Sequence, residues 1–343
     1  MKTIRWKINT GETDFLEAIE AAAAMLKEGK TVAFPTETVY GLGADATNPQ
    51  AVDNIFRAKG RPQDNPLIAH VATIEQLKQL VTYIPPYAEK LIEAYSPGPI
   101  TYVLKDNGTC AENVTAGLAT VAVRIPDHPV ALALLKKTGR PVAAPSANIS
   151  GKPSPTTADH VWEDLQGKIA GLIDGGPTGV GVESTVIDCT GDVPVILRPG
   201  GIAKEQLEEV AGTVVIDPGL TDQKEKPKSP GMKYRHYAPE IPLWLVEGGP
   251  SVLRKLMDEK RKAGLKVAVL ASTMTCSQLE GDALYPLGED LAEIAARLYE
   301  GLRTFKKGDY DLILCEMFPE EGIGQAIMNR LRKAASNTLT AAD

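Results

Sequence analysis

Thr31-Val32-Ala33-Phe34-Pro35-Thr36-Glu37-Thr38-Val39-Tyr40-Gly41-Leu42 opens on an apolar, β-branched run and leaves it through a proline, two threonines and a glutamate. The run reads as a buried strand, and Pro35 ends it because proline has no N–H to give to a ladder. Ligands of open α/β sheets gather at the carboxyl ends of strands, so Thr36, Glu37 and Thr38 stand where a site is built. The same hydroxyls also suit an ordinary strand exit that caps its own backbone. On this segment alone both readings stay open.

Upstream, Asp14 to Lys27 carries Phe15, Ile19, Ala22 and Leu26 on one face with Gly29 as a stop, an amphipathic helix leading into the strand. Downstream, apolar runs at 67–71, 100–104, 121–125, 141–144, 169–173, 185–187 and 194–197 alternate only partly with helical segments. The fold class is therefore α/β with a mixed sheet, not a repeating βαβ barrel. At 218–240 the pattern breaks: Lys224-Glu225-Lys226-Pro227-Lys228-Ser229-Pro230-Gly231 has no hydrophobic period and reads as a linker. Strands at 243–246, 266–271 and 311–315 then alternate with helices at 251–262, 291–303 and 325–333, which predicts a small parallel βαβ domain. The expected division is 1–217, 218–240 and 241–343.

Composition removes several functions. The 343 residues hold 37 basic and 44 acidic side chains, a net charge of -7, which opposes non-specific binding of nucleic acid by phosphate neutralisation. Four cysteines without a C-x-x-C pair read as reduced, buried thiols, and four histidines without H-E-x-x-H disfavour a transition-metal site. The N-terminus lacks a secretory h-region and no long apolar stretch follows, so the expectation is a cytoplasmic protein with no membrane partner. Gly41-Leu42-Gly43-Ala44-Asp45-Ala46 matches a dinucleotide fingerprint, but Asn48-Pro49 interrupts the helix it requires, and a turn is expected instead. Gly151-Lys152-Pro153-Ser154 lacks the upstream glycine and the hydroxyl of a Walker A loop.

Other segments point to an anionic substrate. Arg57, Lys59 and Arg61 crowd a loop shaped by Gly60 and Pro62 and closed by Asn65, and forked guanidinium with mobile ammonium suits phosphate oxygens; a solvated charge run is the alternative. His70, at the end of the next run, reads as a core histidine or a pocket residue. Arg124 ends an otherwise apolar strand begun by Thr120, where an unpaired charge is costly, so it needs a carboxylate from the protein or from a substrate. Pro145 to Ser154 and Gly175-Gly176-Pro177-Thr178-Gly179-Val180-Gly181-Val182-Glu183-Ser184-Thr185 are loops rich in hydrogen-bonding groups and glycine, and Arg198-Pro199-Gly200-Gly201 adds a cation. Neither a nucleophile elbow nor a kinase motif set occurs, so positioning and electrostatics must carry any catalysis. Gly322 to Arg330 opens the last helix, as a structural turn or an anion-binding N-terminus.

Lys59-x-Arg61 and Ser146-x-Asn148, preceded by Pro35 to Leu42, resemble the YrdC-like family of threonylcarbamoyl-AMP synthases over residues 14–217, with no departure in these motifs. Ser229 to Pro239 and the C-terminal α/β region resemble its long, two-domain form, which gives a YrdC-like twisted open mixed sheet followed by a linker and a Rossmann-like domain. The resemblance implies condensation of L-threonine, bicarbonate and ATP to threonylcarbamoyl-AMP and pyrophosphate, with Mg2+ carried on ATP and no protein metal site. It further implies a product for the machinery that transfers threonylcarbamoyl to tRNA next to the anticodon, and leaves a weak tRNA contact open. By resemblance Lys59 and Arg61 are the catalytic cations. ATP falls to Arg61, Asn65, Thr120, Ser146, Asn148, Ser154, Arg198 and Tyr237, and L-threonine to Thr38, His70, Arg124, Ala144 and Ser184. The linker's Lys224, Lys226, Lys228, Lys233 and Arg235 suit a lid over anions or a solvated tether. Two other readings remain: an RNA-binding module without turnover, and a carbamoyl-phosphate-dependent transferase.

Overall fold

A computed structural model describes residues 2–8, 13–220, 236–281 and 283–340, and its contacts divide the chain into two units. The first comprises Met1–Ser150, Ser154–Gly179 and Glu183–Lys233; the second comprises Tyr234–Asp343 with Gly151–Pro153 and Val180–Val182. The linker cations and the segment 221–235 lie outside the described residues.

In the first unit the chain runs β1 (Ile4–Lys7), α1 (Thr13–Lys27), β2 (Val32–Phe34), β3 (Gly41–Asp45), α2 (Pro49–Lys59), β4 (Ile68–His70), α3 (Ile74–Lys78), α4 (Pro86–Tyr95), β5 (Ile100–Lys105) and α5 (Glu112–Thr115). It continues through β6 (Thr120–Arg124), α6 (Pro129–Thr138), β7 (Val142–Ala143), α7 (Ala158–Leu165), β8 (Gly171–Asp174), β9 (Thr185–Asp188), β10 (Val195–Arg198), α8 (Lys204–Ala211) and β11 (Val215–Ile216). These strands form one 11-stranded sheet in the order β1-β8-β2-β3-β7-β4-β6-β5-β9-β10-β11. Pairing is mixed: β4 runs parallel to β6, β6 antiparallel to β5, and β5 parallel to β9. The expected mixed α/β sheet is what the chain builds.

Alternate residues along a strand face opposite ways, which sorts the core. Ala69, Leu104, Val121, Val123 and Ile187 join residues of α2, α4, α7 and α8 in the largest cluster. On the opposite side Val32, Phe34, Val142 and Ala144 pack with α1 and α6. A third cluster, Ile68, Val103, Ala122, Val186 and Leu197, is made of strand residues alone, so this stretch of sheet is an apolar floor with no helix in its cluster.

One expectation fails here. The Gly41 to Ala46 segment is not a turn: Gly41–Asp45 is strand β3, buried along its whole length. Its glycines answer to packing, since a Cβ on Gly43 would stand 2.8 Å from Val142 Cγ1 and 2.9 Å from the Phe34 ring. The break comes later, where the Asn48 side chain accepts from Gln50 and Ala51 amides and starts α2 with Pro49 in its first turn. A helix beginning at Pro49 leaves no glycine-opened helix N-terminus, as the sequence implied.

The second unit holds β12 (Leu243–Val246), α9 (Gly249–Lys262), β13 (Val267–Ala271), α10 (Thr273–Cys276), β14 (Leu284–Pro286), α11 (Leu291–Thr304), β15 (Leu312–Glu316), α12 (Gly324–Ala334) and β16 (Asn337–Leu339). Its five strands are all parallel, in the order β14-β13-β15-β12-β16, the doubly wound pattern anticipated. The start of α12 is a structural turn. A Cβ on Gly324 would fall 1.9 Å from Pro319 O, and the Gly324 and Ala326 amides already donate to Glu321 O and Ile323 O. Among the described residues no helix is long and apolar enough to cross a membrane.

Candidate active site

Register puts four of the predicted residues, His70, Thr120, Arg124 and Ser184, on the face of the apolar floor. Ile68 pairs with Ala122 and His70 with Arg124, so in β6 Thr120, Ala122 and Arg124 share the face of Ile68 and His70. Val103 pairs with Ala122, and Thr101 with Val186, which extends that face to Thr101 and, two residues before Val186, to Ser184. Thr120 and Arg124 lie at opposite ends of β6, about 13 Å apart at ~3.3 Å per residue. The floor thus has two ends, one marked by a hydroxyl and one by a cation.

At the cationic end Arg124 is buried. Its Nη1 donates to Thr38 Oγ1 at 3.0 Å, Nε reaches Gly98 O at 3.4 Å, and Nη2 stands 2.6 Å from Glu37 Oε1. The last contact is an ion pair without hydrogen-bond angles: among the described residues Nη2 and both Glu37 oxygens have no hydrogen-bond partner. Arg124 therefore has its carboxylate within the protein, and still has donors to give. Thr36 Oγ1 gives its proton to Val39 O at 2.7 Å, so at 2.8 Å from Thr36 it is Thr38 that donates between the two hydroxyls. Thr38 Oγ1 is thereby held facing the guanidinium.

His70 is a neutral ring. Burial, helped by the Arg124 charge, pushes its imidazole down to about 3, and Nδ1 lies 3.1 Å from Ile68 O. Phe34 meets it edge-on at 6.4 Å. Next to it, Ala144 is buried on the face it shares with Val142 and Phe34 and gives its amide to Ile68 O at 3.0 Å.

Ser184 is tied from two sides. Its Oγ lies 2.7 Å from Thr101 Oγ1, and Arg198 Nη2 donates to its Oγ at 3.2 Å and its carbonyl at 2.9 Å. Gly200 makes this fit possible, because a Cβ there would stand 2.3 Å from Ser184 C and Thr185 N. Beside it, buried Ser154 donates to Glu183 Oε1 at 2.6 Å. Thr101 was not foreseen from the sequence, and Glu183 and Gly200, which stand in loops the sequence singles out, carried no role there; the packing of β9 against β5 and β10 reveals all three.

Lys59 ends α2, where Gly60 at φ +62 turns the chain. Its buried ammonium donates to Ser146 O at 2.5 Å and Asn148 O at 2.6 Å, and Ser150 N returns a bond to Lys59 O at 2.9 Å. The lysine thus stitches its own loop to the Ser146–Asn148 loop. Arg61 folds back on Pro66 O at 3.0 Å and Asn65 O at 3.4 Å, which closes the 61–66 loop. Asn65 is buried with its Oδ1 unpartnered among the described residues. Asn148 Nδ2 donates to Ile149 O, while Ser146 and Thr120 are half-buried.

Tyr237 belongs to the second unit. Its backbone has φ +64, its ring stacks on Tyr299 at 5.5 Å, and the Arg330 guanidinium lies 5.7 Å from its centroid. All four cysteines are free, three buried and Cys276 half-buried, and burial raises each thiol, Cys276 to about 11 and Cys110 to about 12. Among the described residues no three His, Cys, Asp or Glu side chains gather as metal ligands.

The comparisons agree with one another. A family profile described as telomere recombination matches residues 24–200, and one described as threonylcarbamoyl-AMP synthase, C-terminal domain, matches residues 202–336. A Bacillus subtilis (strain 168) protein named threonylcarbamoyl-AMP synthase is 52% identical over 342 residues, 98% of each chain. One of the same name from Pyrococcus abyssi is 50% identical over 322 residues, covering 92% of this chain and 94% of its own. The crystal structure of P. abyssi Sua5 complexed with L-threonine superposes with a TM-score of 0.92 at 46% identity, over 99% of this chain and all of its own. E. coli YciO, at 24% identity and a TM-score of 0.52 over 58% of this chain, shares the fold.

Proposed function

We propose that this chain, which belongs to the threonylcarbamoyl-AMP synthase family, joins L-threonine, bicarbonate and ATP into threonylcarbamoyl-AMP, with pyrophosphate leaving. Its activity is that of an adenylate-forming transferase. An RNA-binding module without turnover is not favoured, since full-length relatives at 50% identity and above carry the synthase name. The observation that carries the site reading is buried Arg124, held by Glu37 and Thr38 beside neutral His70 at the end of the apolar floor. A buried guanidinium with donors to spare suits the carboxylate of an amino acid, here threonine. Thr38, His70 and Ser184 offer the hydroxyl and imidazole groups that fix the rest of it, with Ala144 lining the same pocket.

The chemistry needs placement more than proton transfer. A carbamate oxygen, formed on the threonine amine, attacks the α-phosphorus, and the bond to the bridging oxygen of the β-phosphate breaks. Negative charge then grows on pyrophosphate, so fixed cations lower the barrier. Arg61 and Arg198 serve as those cations, and Lys59 positions the Ser146–Asn148 loop while adding its own charge. Asn65, Thr120, Ser146, Asn148 and Ser154 take the nucleotide's ribose, base and phosphates. Magnesium carried on ATP would offset the charge of its phosphates, with Arg61 and Arg198 supplying the fixed cations. The product supplies a tRNA-modifying transfer reaction in the cytoplasm. Pyrophosphate release measured with and without L-threonine tests this reading, and release indifferent to threonine would end it.

A further inference from the structure

The carboxylate beside Arg124 has no role in the reaction as drawn. Glu37 sits in the loop after β2, and its carboxylate is buried together with Arg124 although the side chain as a whole is 13% exposed. Neither oxygen accepts a hydrogen bond among the described residues; Oε1 meets Arg124 Nη2 at 2.6 Å as an ion pair, and Oε2 has no hydrogen-bond partner. An ion pair serving structure alone is expected to satisfy its lone pairs and protons, because an incomplete buried pair is costly. Arg124 donates from Nη1 to Thr38 Oγ1 and stands opposite His70 in the register of β4 with β6, so the pair lies at the cationic end of the floor. His128 also senses the charge: burial holds its imidazole below the ordinary value against Glu37 and Asp127.

Resting on the proposed threonine site, we infer that Glu37 and Arg124 form a receptor for a zwitterion, in which Arg124 takes the α-carboxylate and Glu37 the α-ammonium. Glu37 is then a specificity-determining residue, selecting a free, protonated amino group in place of a hydroxyl or an acylated nitrogen. The contact is also self-limiting. Ammonium and bicarbonate give a carbamate, water and a proton released to solvent, so the nitrogen loses its charge and the new carbamate, itself an anion, is repelled by Glu37.

Calorimetric titration of the full chain with L-threonine, with 2,3-dihydroxybutanoate, in which a hydroxyl replaces the ammonium, and with N-acetyl-L-threonine tests this. The wild-type chain should favour L-threonine at least tenfold over both analogues. In Glu37→Gln, which keeps size and polarity, threonine affinity should fall at least tenfold while the hydroxy acid holds its own, so that the preference shrinks to within threefold. Equal binding of threonine and the hydroxy acid by the wild-type chain would overturn the inference without recourse to any variant. Unchanged threonine binding in Glu37→Gln, or equal loss of both ligands, would overturn it too. Arg124→Met should lose all three ligands; threonine binding that survives that change would instead overturn the Arg124 site on which the inference rests.

Discussion

Replacing Lys59 by methionine removes the ammonium that joins two loops while keeping most of the side chain's length and apolar contact. In the folded protein that ammonium makes charge-assisted bonds to Ser146 O at 2.5 Å and Asn148 O at 2.6 Å. Bonds of this kind contribute about 1.5–3 kcal/mol each, and removing the ammonium also relieves the cost of burying it, which leaves a net loss of about 3 kcal/mol. For a unit of roughly 200 residues that lowers Tm by about 6 to 12 °C. The assay pairs a thermal melt with threonine-dependent pyrophosphate release across an ATP titration. We expect lower stability together with a raised KM for ATP, because the Ser146–Asn148 loop loses its anchor. A variant as stable as the wild type but without turnover would refute the reasoning, since Lys59 would then act on phosphate alone.

Arg124→Lys keeps charge but loses the fork that reaches Thr38 and Glu37 together, and should raise the KM for threonine by tenfold or more with the KM for ATP little changed. Gly200→Ala forces a Cβ to within 2.3 Å of Ser184 and Thr185 backbone, so kcat/KM for threonine should fall as Ser184 and its Arg198 contact shift. His70 has a folded value of about 3 against about 6.5 when unfolded, so the unfolded chain binds the extra proton. Stability from this group is whole above pH 6.5 and is lost as pH falls toward 3, about 2–3 kcal/mol by pH 4.5 at ~1.4 kcal/mol per unit. Denaturant melts of His70→Phe should show that much less loss between pH 6.5 and 4.5 than the wild type.

How far the sequence reaches depends on the distance over which a residue's meaning is set. The strand after α1 and the run that became β6 are local patterns of apolar, β-branched residues, and they form where periodicity put them. The parallel second unit followed from regular alternation of period two with period 3.6. The glycines of β3 misled because local spacing says turn, whereas their cause is the Phe34 ring and Val142 arriving from neighbouring strands. Arg124 was legible as a charge in want of an anion, and Glu37 stood in the very stretch that announced the fold. That the two meet required the loop after β2 to come within reach of the end of β6, 86 residues on from Thr38. Lys59 shows the same limit: its partners are carbonyl oxygens, which every residue carries and no motif reveals.

In the proposed function this site couples threonine to the release of pyrophosphate from ATP. The most direct test is pyrophosphate release by the full chain with ATP, magnesium and bicarbonate, in the presence of L-threonine, of L-serine or of no amino acid. Release should depend on threonine, be weaker with serine, and fall close to zero without an amino acid. Release at the same rate in all three conditions, or none with threonine from a chain that melts as a folded protein, would contradict it.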